Sequence, residues 1–175
     1  MNPSSRPHAP RATTSLVRTR TATSDDVPQV LALFERCSPD TLRRRFHVPV
    51  PRVPERLVRR LVVPDRGWSL VAEQGAEVIA HGCAGPLGPR TVEVGLLVDD
   101  AFHRTGVGTR LLRDLAASAA ERGFEALVCQ VEPDDEAVAA TMARAGLQCT
   151  VHPVDGELEI HAPLTGAVAD LERPA

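Results

Sequence analysis

A chain of 175 residues with 43% hydrophobic and 25% charged side chains has the size and composition of one soluble domain with a substantial core. Its net charge of -3 gives no broad electrostatic reason to expect nucleic acid or an anionic membrane as a partner. No apolar run approaches the roughly 18 residues that a membrane span needs.

Met1 to Thr14 carries Pro3, Pro7, Pro10, Arg6 and Arg11 with no apolar centre, so it reads as a disordered lead-in rather than a secretory signal. Residues 15–164 are expected to form the domain. Leu16–Arg20 alternates apolar and polar residues and predicts a first strand. Ser24-Asp25-Asp26-Val27-Pro28 opens a helix, with Ser24 as cap and Val27, Val30, Leu31 and Phe34 as the apolar stripe. After Ser38-Pro39-Asp40 a short helix carries Leu42 and Phe46; Val48–Val53 holds Pro49 and Pro51, with Pro54 just after it, and is a loop; a third helix spans Pro54 to Val62.

Beyond Gly67 the period changes to two. Trp68–Glu73 and Glu77–Ala84 form a predicted hairpin around Gln74-Gly75-Ala76. Thr91–Val98 is a near-continuous apolar strand, as expected at the centre of a sheet. A helix begins at Gly106 or Val107 and reaches Arg122, striped by Leu111, Leu112, Leu115 and Ala119 and stopped by Gly123. Ala126–Val131 is a buried strand and Asp134–Ala145 a helix ended by Gly146. Leu147–Val154 and Glu157–Pro163 close the domain as a hairpin on Asp155-Gly156, and residues 165–175 look frayed. The order of elements predicts an α/β fold on a mixed sheet.

Several chemistries are constrained by composition. All 20 basic residues are arginine and tyrosine is absent, so neither a lysine nucleophile nor a phenolic acid is available. Cys37, Cys83, Cys129 and Cys149 lie far apart, without metal-ligand spacing; three of them sit in apolar runs, which suits buried thiols in a reducing, cytoplasmic setting.

The segment from Val98 to Leu112 is the most informative. An apolar strand runs into a turn bearing Gly106 and Gly108, and the turn runs into a long amphipathic helix. The first N–H groups of such a helix lack internal partners and carry partial positive charge, while glycine lets a ligand approach the backbone. That combination suits a diphosphate. The GK[ST] ending of a phosphate-binding P-loop and the GxGxxG of a dinucleotide fold are both missing. Glu93 interrupts the apolar strand just upstream, and an acid there is costly to bury unless it is paired or used; desolvation would raise its pKa and improve it as a base. His81 lies on the preceding strand, where it is either a core residue or a cleft residue. Between Arg43 and Arg66 stand eight arginines against Glu55 and Asp65. They either line an acceptor groove, which would favour a carboxylate or phosphate on the acceptor, or form a solvated face.

His103-Arg104-Thr105-Gly106-Val107-Gly108 resembles the Gln/Arg-x-x-Gly-x-Gly/Ala acyl-CoA-binding motif of the GNAT N-acyltransferase superfamily, with His103 at the Gln/Arg position. The likeness covers residues 16–164, and Ser38-Pro39-Asp40-Thr41-Leu42-Arg43-Arg44-Arg45-Phe46 is similar to the acetyltransferase domain of bacterial protein-lysine acetyltransferases. The resemblance implies a mostly antiparallel sheet of six to seven strands with about four helices, and acetyl-CoA as co-substrate in a cleft where the fourth and fifth strands separate. It places the pantetheine arm along Leu96, Leu97 and Val98 and the pyrophosphate on His103, Arg104, Thr105, Gly106, Val107, Gly108 and Thr109. Arg104, and less directly Arg110 or Arg113, would face a phosphate. It also gives Glu93 the role of general base toward a small-molecule or protein amine, possibly anionic, with the Val98 N–H polarising the thioester. Two positions depart from the pattern: Asp135 stands where many relatives contact the cofactor through Asn, and Met142 stands where many place a Tyr acid. No metal, nucleic acid or membrane is implied, and the protein is expected as a monomer or homodimer.

Overall fold

The computed structural model describes residues 16–133, 135–154 and 156–164; the expected tails, Asp134 and Asp155 lie outside the described residues. Strand β1 (Val17–Thr21) leads through a 3-10 turn (Ser24–Asp26) into α1 (Val27–Arg36), α2 (Pro39–Phe46) and α3 (Glu55–Val62). Strands β2 (Trp68–Gln74), β3 (Glu77–Pro86) and β4 (Thr91–Val98) follow. A second 3-10 turn (Asp100–Phe102) precedes α4 (Val107–Glu121), then β5 (Ala126–Val131), α5 (Glu136–Arg144), β6 (Thr150–Val154) and β7 (Glu157–Pro163). The seven strands form one sheet in the order β1-β2-β3-β4-β5-β7-β6. Every neighbouring pair is antiparallel except β4 and β5.

Each helix is seated by a stripe at helical spacing. In α1 the buried residues are Val27, Val30, Leu33 and Phe34, so Leu33 takes the place expected of Leu31. Pro28 sits in the first turn, where its missing N–H costs nothing. In α4, Val107, Leu111, Leu115 and Ala119 recur every four residues, with Leu112 and Ala116 beside them, all buried. Burying each of the three leucines fully contributes about 2 kcal/mol.

The sheet carries a core on each side. One cluster joins α4 and α5 to Leu70, Ile79, Val92, Val94, Leu127, Val131 and Ile160. The other joins Val30, Leu33, Phe34, Leu42, Val58 and Val62 of the first three helices to Val71, Val78 and Leu97. The Asp26 carboxylate pins the chain between β1 and α1. It accepts from both terminal nitrogens of Arg20 (2.8 and 2.6 Å) and from the Thr23 N–H (2.7 Å), and the Arg20 guanidinium holds its carboxyl down at about 2.

The boundaries differ from the sequence expectation in two informative places. The first helix begins as a 3-10 turn before Val27. The closing hairpin begins at Thr150 rather than Leu147, because Gly146 (φ +84°) turns the chain and the Leu147 N–H bonds back to the Met142 carbonyl at 3.0 Å, closing α5. Among the described residues there are five α-helices, where about four were expected.

Candidate active site

β4 and β5 run parallel for only three register pairs, Thr91–Glu93 against Ala126–Val128. Beyond Glu93 the two strands part: β4 continues to Val98 with no strand on that side among the described residues, and β5 continues paired to β7. Asp99 donates its N–H to the Ile79 carbonyl at 3.0 Å, which fixes the phase of the β3–β4 ladder. By alternation Leu97 and Gly95 bond to β3, while the peptide groups of Leu96 and Val98 point into the gap. Leu97 stands opposite His81 and buries its side chain on the α1–α3 side. The gap opens into a cleft of about 860 Å³, large enough for a cofactor-sized ligand.

One end of the cleft is the start of α4. Gly106 caps it at φ +91°, a conformation that glycine alone adopts freely, and Arg104 is also left-handed at φ +60°. Among the described residues no side chain caps the helix, and the N–H groups of Arg104, Gly106, Val107, Gly108 and Thr109 have no protein partner. The N–H groups of His103 and Thr105 are used inside the turn, donating to the Asp100 and Phe102 carbonyls (3.2 and 3.4 Å). The His103 ring places Nε2 3.0 Å from the Val98 carbonyl, which fastens the turn to the end of β4. Val107 is buried and contributes only its backbone. Arg104 is exposed, whereas Arg110 and Arg113 hydrogen-bond the carbonyls of Val17 and Arg144 on neighbouring elements. Five open amides beside an exposed guanidinium form a cradle fitted to a diphosphate.

The opposite wall is α2. Its N-terminus is clasped by Asp100, whose carboxylate accepts from the Ser38 N–H (2.7 Å), the Ser38 hydroxyl (2.8 Å) and the Thr41 hydroxyl (2.7 Å). Partial burial opposes the charge, but these bonds outweigh it and hold the Asp100 carboxyl below its usual range. Farther along, Arg43 pairs with Glu132, Arg44 with Asp135 (3.4 Å) and His47 Nδ1 with Glu157 (3.2 Å). The helix thus spans the cleft from the β4–α4 turn to β5, α5 and β7. Asp135 caps α5, accepting from the Ala137 N–H at 3.1 Å, and its second oxygen faces Arg44.

Glu93 sits where β4 and β5 part, and its side chain faces the cleft. It is exposed, so the desolvation expected from its apolar neighbours is not met. The physical reason is its partner in register: Gly85 on β3 offers no side chain to cover it. His81, by contrast, belongs to the core. It is fully buried, neither ring nitrogen meets a hydrogen-bond partner, and burial with the nearby Arg45 charge pushes its pKa down to about 3. Met142 is also fully buried; it presents a thioether, with the Cys149 thiol 3.4 Å from it, and no proton donor.

Two parts of the site were not singled out beforehand. Arg45 lays its guanidinium over Gly95, where a Cβ would come within 2.5 Å of it, and reaches the Cys83 sulfur at 3.1 Å. Three consecutive arginines point in directions about 100° apart on a helix, so Arg43, Arg44 and Arg45 have separate fates that sequence alone does not sort. The Asp100 clasp carried a signal in the Ser38-Pro39-Asp40 cap, but its partner lies about sixty residues away. Among the described residues, no group of His, Cys, Asp and Glu has the arrangement of a metal site, and no helix is long and apolar enough to cross a membrane.

Known proteins place the fold and the family. Residues 28–147 match the model of the acetyltransferase (GNAT) family. The fold superposes on the GNAT domain of S. lividans PAT with a TM-score of 0.78 and 28% identity, over 84% of this chain and 90% of that one. It also resembles the acetyltransferase yncA of Salmonella typhimurium, solved with acetyl-CoA (TM-score 0.67, 19% identity, 85% and 94% covered). An N-acetyltransferase from Staphylococcus aureus gives a TM-score of 0.64 at 18% identity, with 85% and 97% covered. No curated protein is similar enough in sequence to register as a relative. A strand gap, an amide cradle and a family match over 28–147 converge: the chain belongs to the GNAT family and is an acetyl-CoA-dependent acetyltransferase.

Proposed function

We propose that the protein transfers the acetyl group directly to a primary amine of a small molecule or protein, with Glu93 as general base. The observation that carries this is the exposed carboxylate at the point where β4 and β5 part, within the cleft that also holds the open amides. Acetyl-CoA supplies the thioester. The amides of Arg104 and Gly106 to Thr109 receive its pyrophosphate, and the Leu96 peptide groups and the Val98 N–H receive the arm as a neighbouring strand would, the Val98 carbonyl being held by His103. An amine is protonated at neutral pH and attacks only when neutral. Glu93, in contact with water, takes that proton directly or through a water molecule. The Val98 N–H, pointing into the gap, is placed to stabilise oxygen charge on the carbonyl. With no tyrosine in the chain, the departing thiolate takes its proton from solvent.

A second reading, a module that binds acyl-CoA without turnover, draws support from Met142, a buried thioether at the position of the usual acid. Thiol release over a panel of amines, with calorimetry of acetyl-CoA alongside, separates the two. Under the proposal Glu93→Gln lowers kcat by about 10²–10⁴-fold and leaves acetyl-CoA affinity unchanged. Equal rates for parent and variant would remove Glu93 from the mechanism, and binding without any turnover would favour the module.

A further inference from the structure

Of the eight arginines between Arg43 and Arg66, most are accounted for without a ligand. Arg43 pairs with Asp40 and Glu132, Arg44 with Asp40 and Asp135, and Arg59 with Glu55. Arg52, Arg56, Arg60 and Arg66 stand exposed on the loop and helix that lead to β2. Arg45 is different. It lines the cleft, and among the described residues no carboxylate lies within ion-pair distance of it. Its Nε is buried without a partner, and among the described residues its hydrogen bond is to the Cys83 sulfur. The Phe46 ring beside it, 5.6 Å from the guanidinium carbon, is a weak substitute for an anion. A half-buried cation whose Nε is buried without a partner, and which finds a thiol rather than a carboxylate as its hydrogen-bond acceptor among the described residues, is an incomplete arrangement.

Position gives the missing partner its chemistry. Gly95 and Glu93 are two residues apart on β4 and so face the same side of the sheet, with about 7 Å between their Cα atoms. Gly95 has no side chain, and that vacancy is where the Arg45 guanidinium lies. A ligand whose amine sits at the Glu93 carboxylate therefore has Arg45 a few bonds away. We propose that Arg45 is the specificity-determining residue for the acceptor, binding a carboxylate carried on the same small molecule as the reactive amine, so that the acceptors are amino acids. The inference rests on the amine-acetylation reading and narrows it. The planar guanidinium suits bidentate carboxylate pairing, which an ammonium cannot reproduce.

Matched pairs test it: phenylalanine against phenethylamine, histidine against histamine, glutamate against 4-aminobutyrate as a case with a displaced carboxylate. The parent should show kcat/KM at least tenfold higher for the α-amino acid than for the amine lacking any carboxylate. Arg45→Gln should collapse that ratio toward one, mainly through KM for the amino acid, and Arg45→Lys should restore part of it. Acetyl-CoA affinity, followed by calorimetry, should hold in both variants. Equal kcat/KM within the pairs, or a preference that survives Arg45→Gln, overturns the inference while leaving the acetylation reading in place. So does acetylation confined to lysine side chains of peptides. Bound acetyl-CoA with no turnover of either member of any pair, nor of a peptide lysine, overturns both. The comparison within the parent needs no variant to fold.

Discussion

His81 should make the protein lose stability on mild acidification, and the size of the effect follows from its burial. The ring is fully enclosed, the Leu61 backbone is near enough to favour a proton slightly but outside regular hydrogen-bond geometry, and its folded pKa falls to about 3 from 6.5. In the unfolded chain the same ring takes up a proton near pH 6.5, so below that pH the unfolded state binds more protons than the native one. The stability is therefore fully present above pH 6.5 and is lost as pH falls toward 3. Each pH unit in that window removes about 1.4 kcal/mol, so lowering the pH from 6.5 to 5 costs roughly 2 kcal/mol. Against a total of about 5–15 kcal/mol for a domain, that is a visible fraction. Urea unfolding at half-unit steps from pH 7.5 to 5 would measure it, with His81→Met as the comparison. Methionine fills a similar volume and leaves no buried polar atom, so the variant should match or exceed the parent at pH 7.5. Contributions from groups other than His81 are common to both proteins and cancel in the difference. Parallel stability curves for parent and variant between pH 7 and pH 5 would refute the reasoning.

Two further substitutions address the frame around the site. Gly106→Val should lower acetyl-CoA affinity and also the thermal midpoint, since no atom lies within 4 Å of the added Cβ but a β-branched residue at φ +91° costs on the order of 1–3 kcal/mol; calorimetry showing unchanged affinity would contradict the placement of the diphosphate. Asp26→Asn should destabilise by about 2 kcal/mol at pH 7, because the carboxylate held at about 2 contributes stability that is present above pH 3.8 and lost as pH falls toward 2; denaturant midpoints equal to the parent would show that the Arg20 pair contributes nothing.

The site was legible where a local pattern has one physical meaning. The strand-to-helix turn at Arg104–Thr109 was readable because unpaired amides, glycine and an amphipathic helix follow one another along the chain, and the structure leaves the amides of Arg104 and of Gly106 to Thr109 open, that of Thr105 being used inside the turn. The order of seven strands was readable because periods of two and 3.6 alternate cleanly from β2 onward. What stayed hidden depends on partners distant in sequence. Glu93 stands in an apolar run and reads as buried, yet its exposure is decided by Gly85 across the ladder and by β5 parting from β4 after Val128. Arg45 is indistinguishable from Arg44 until α2 is laid across Gly95. The alternation Leu147-Gln148-Cys149 looks like strand, but Leu147 serves to close α5.

The two clusters that flank the sheet share no side chain: Leu70 and Ile79 belong with α4, Val71 and Val78 with α1–α3. On the proposed function, the nucleotide grip is built on the first layer and the wall that meets the acceptor on the second. Such a division lets one layer drift to suit a new amine while the other keeps its hold on a common acyl donor, so a single scaffold can be retuned without being rebuilt.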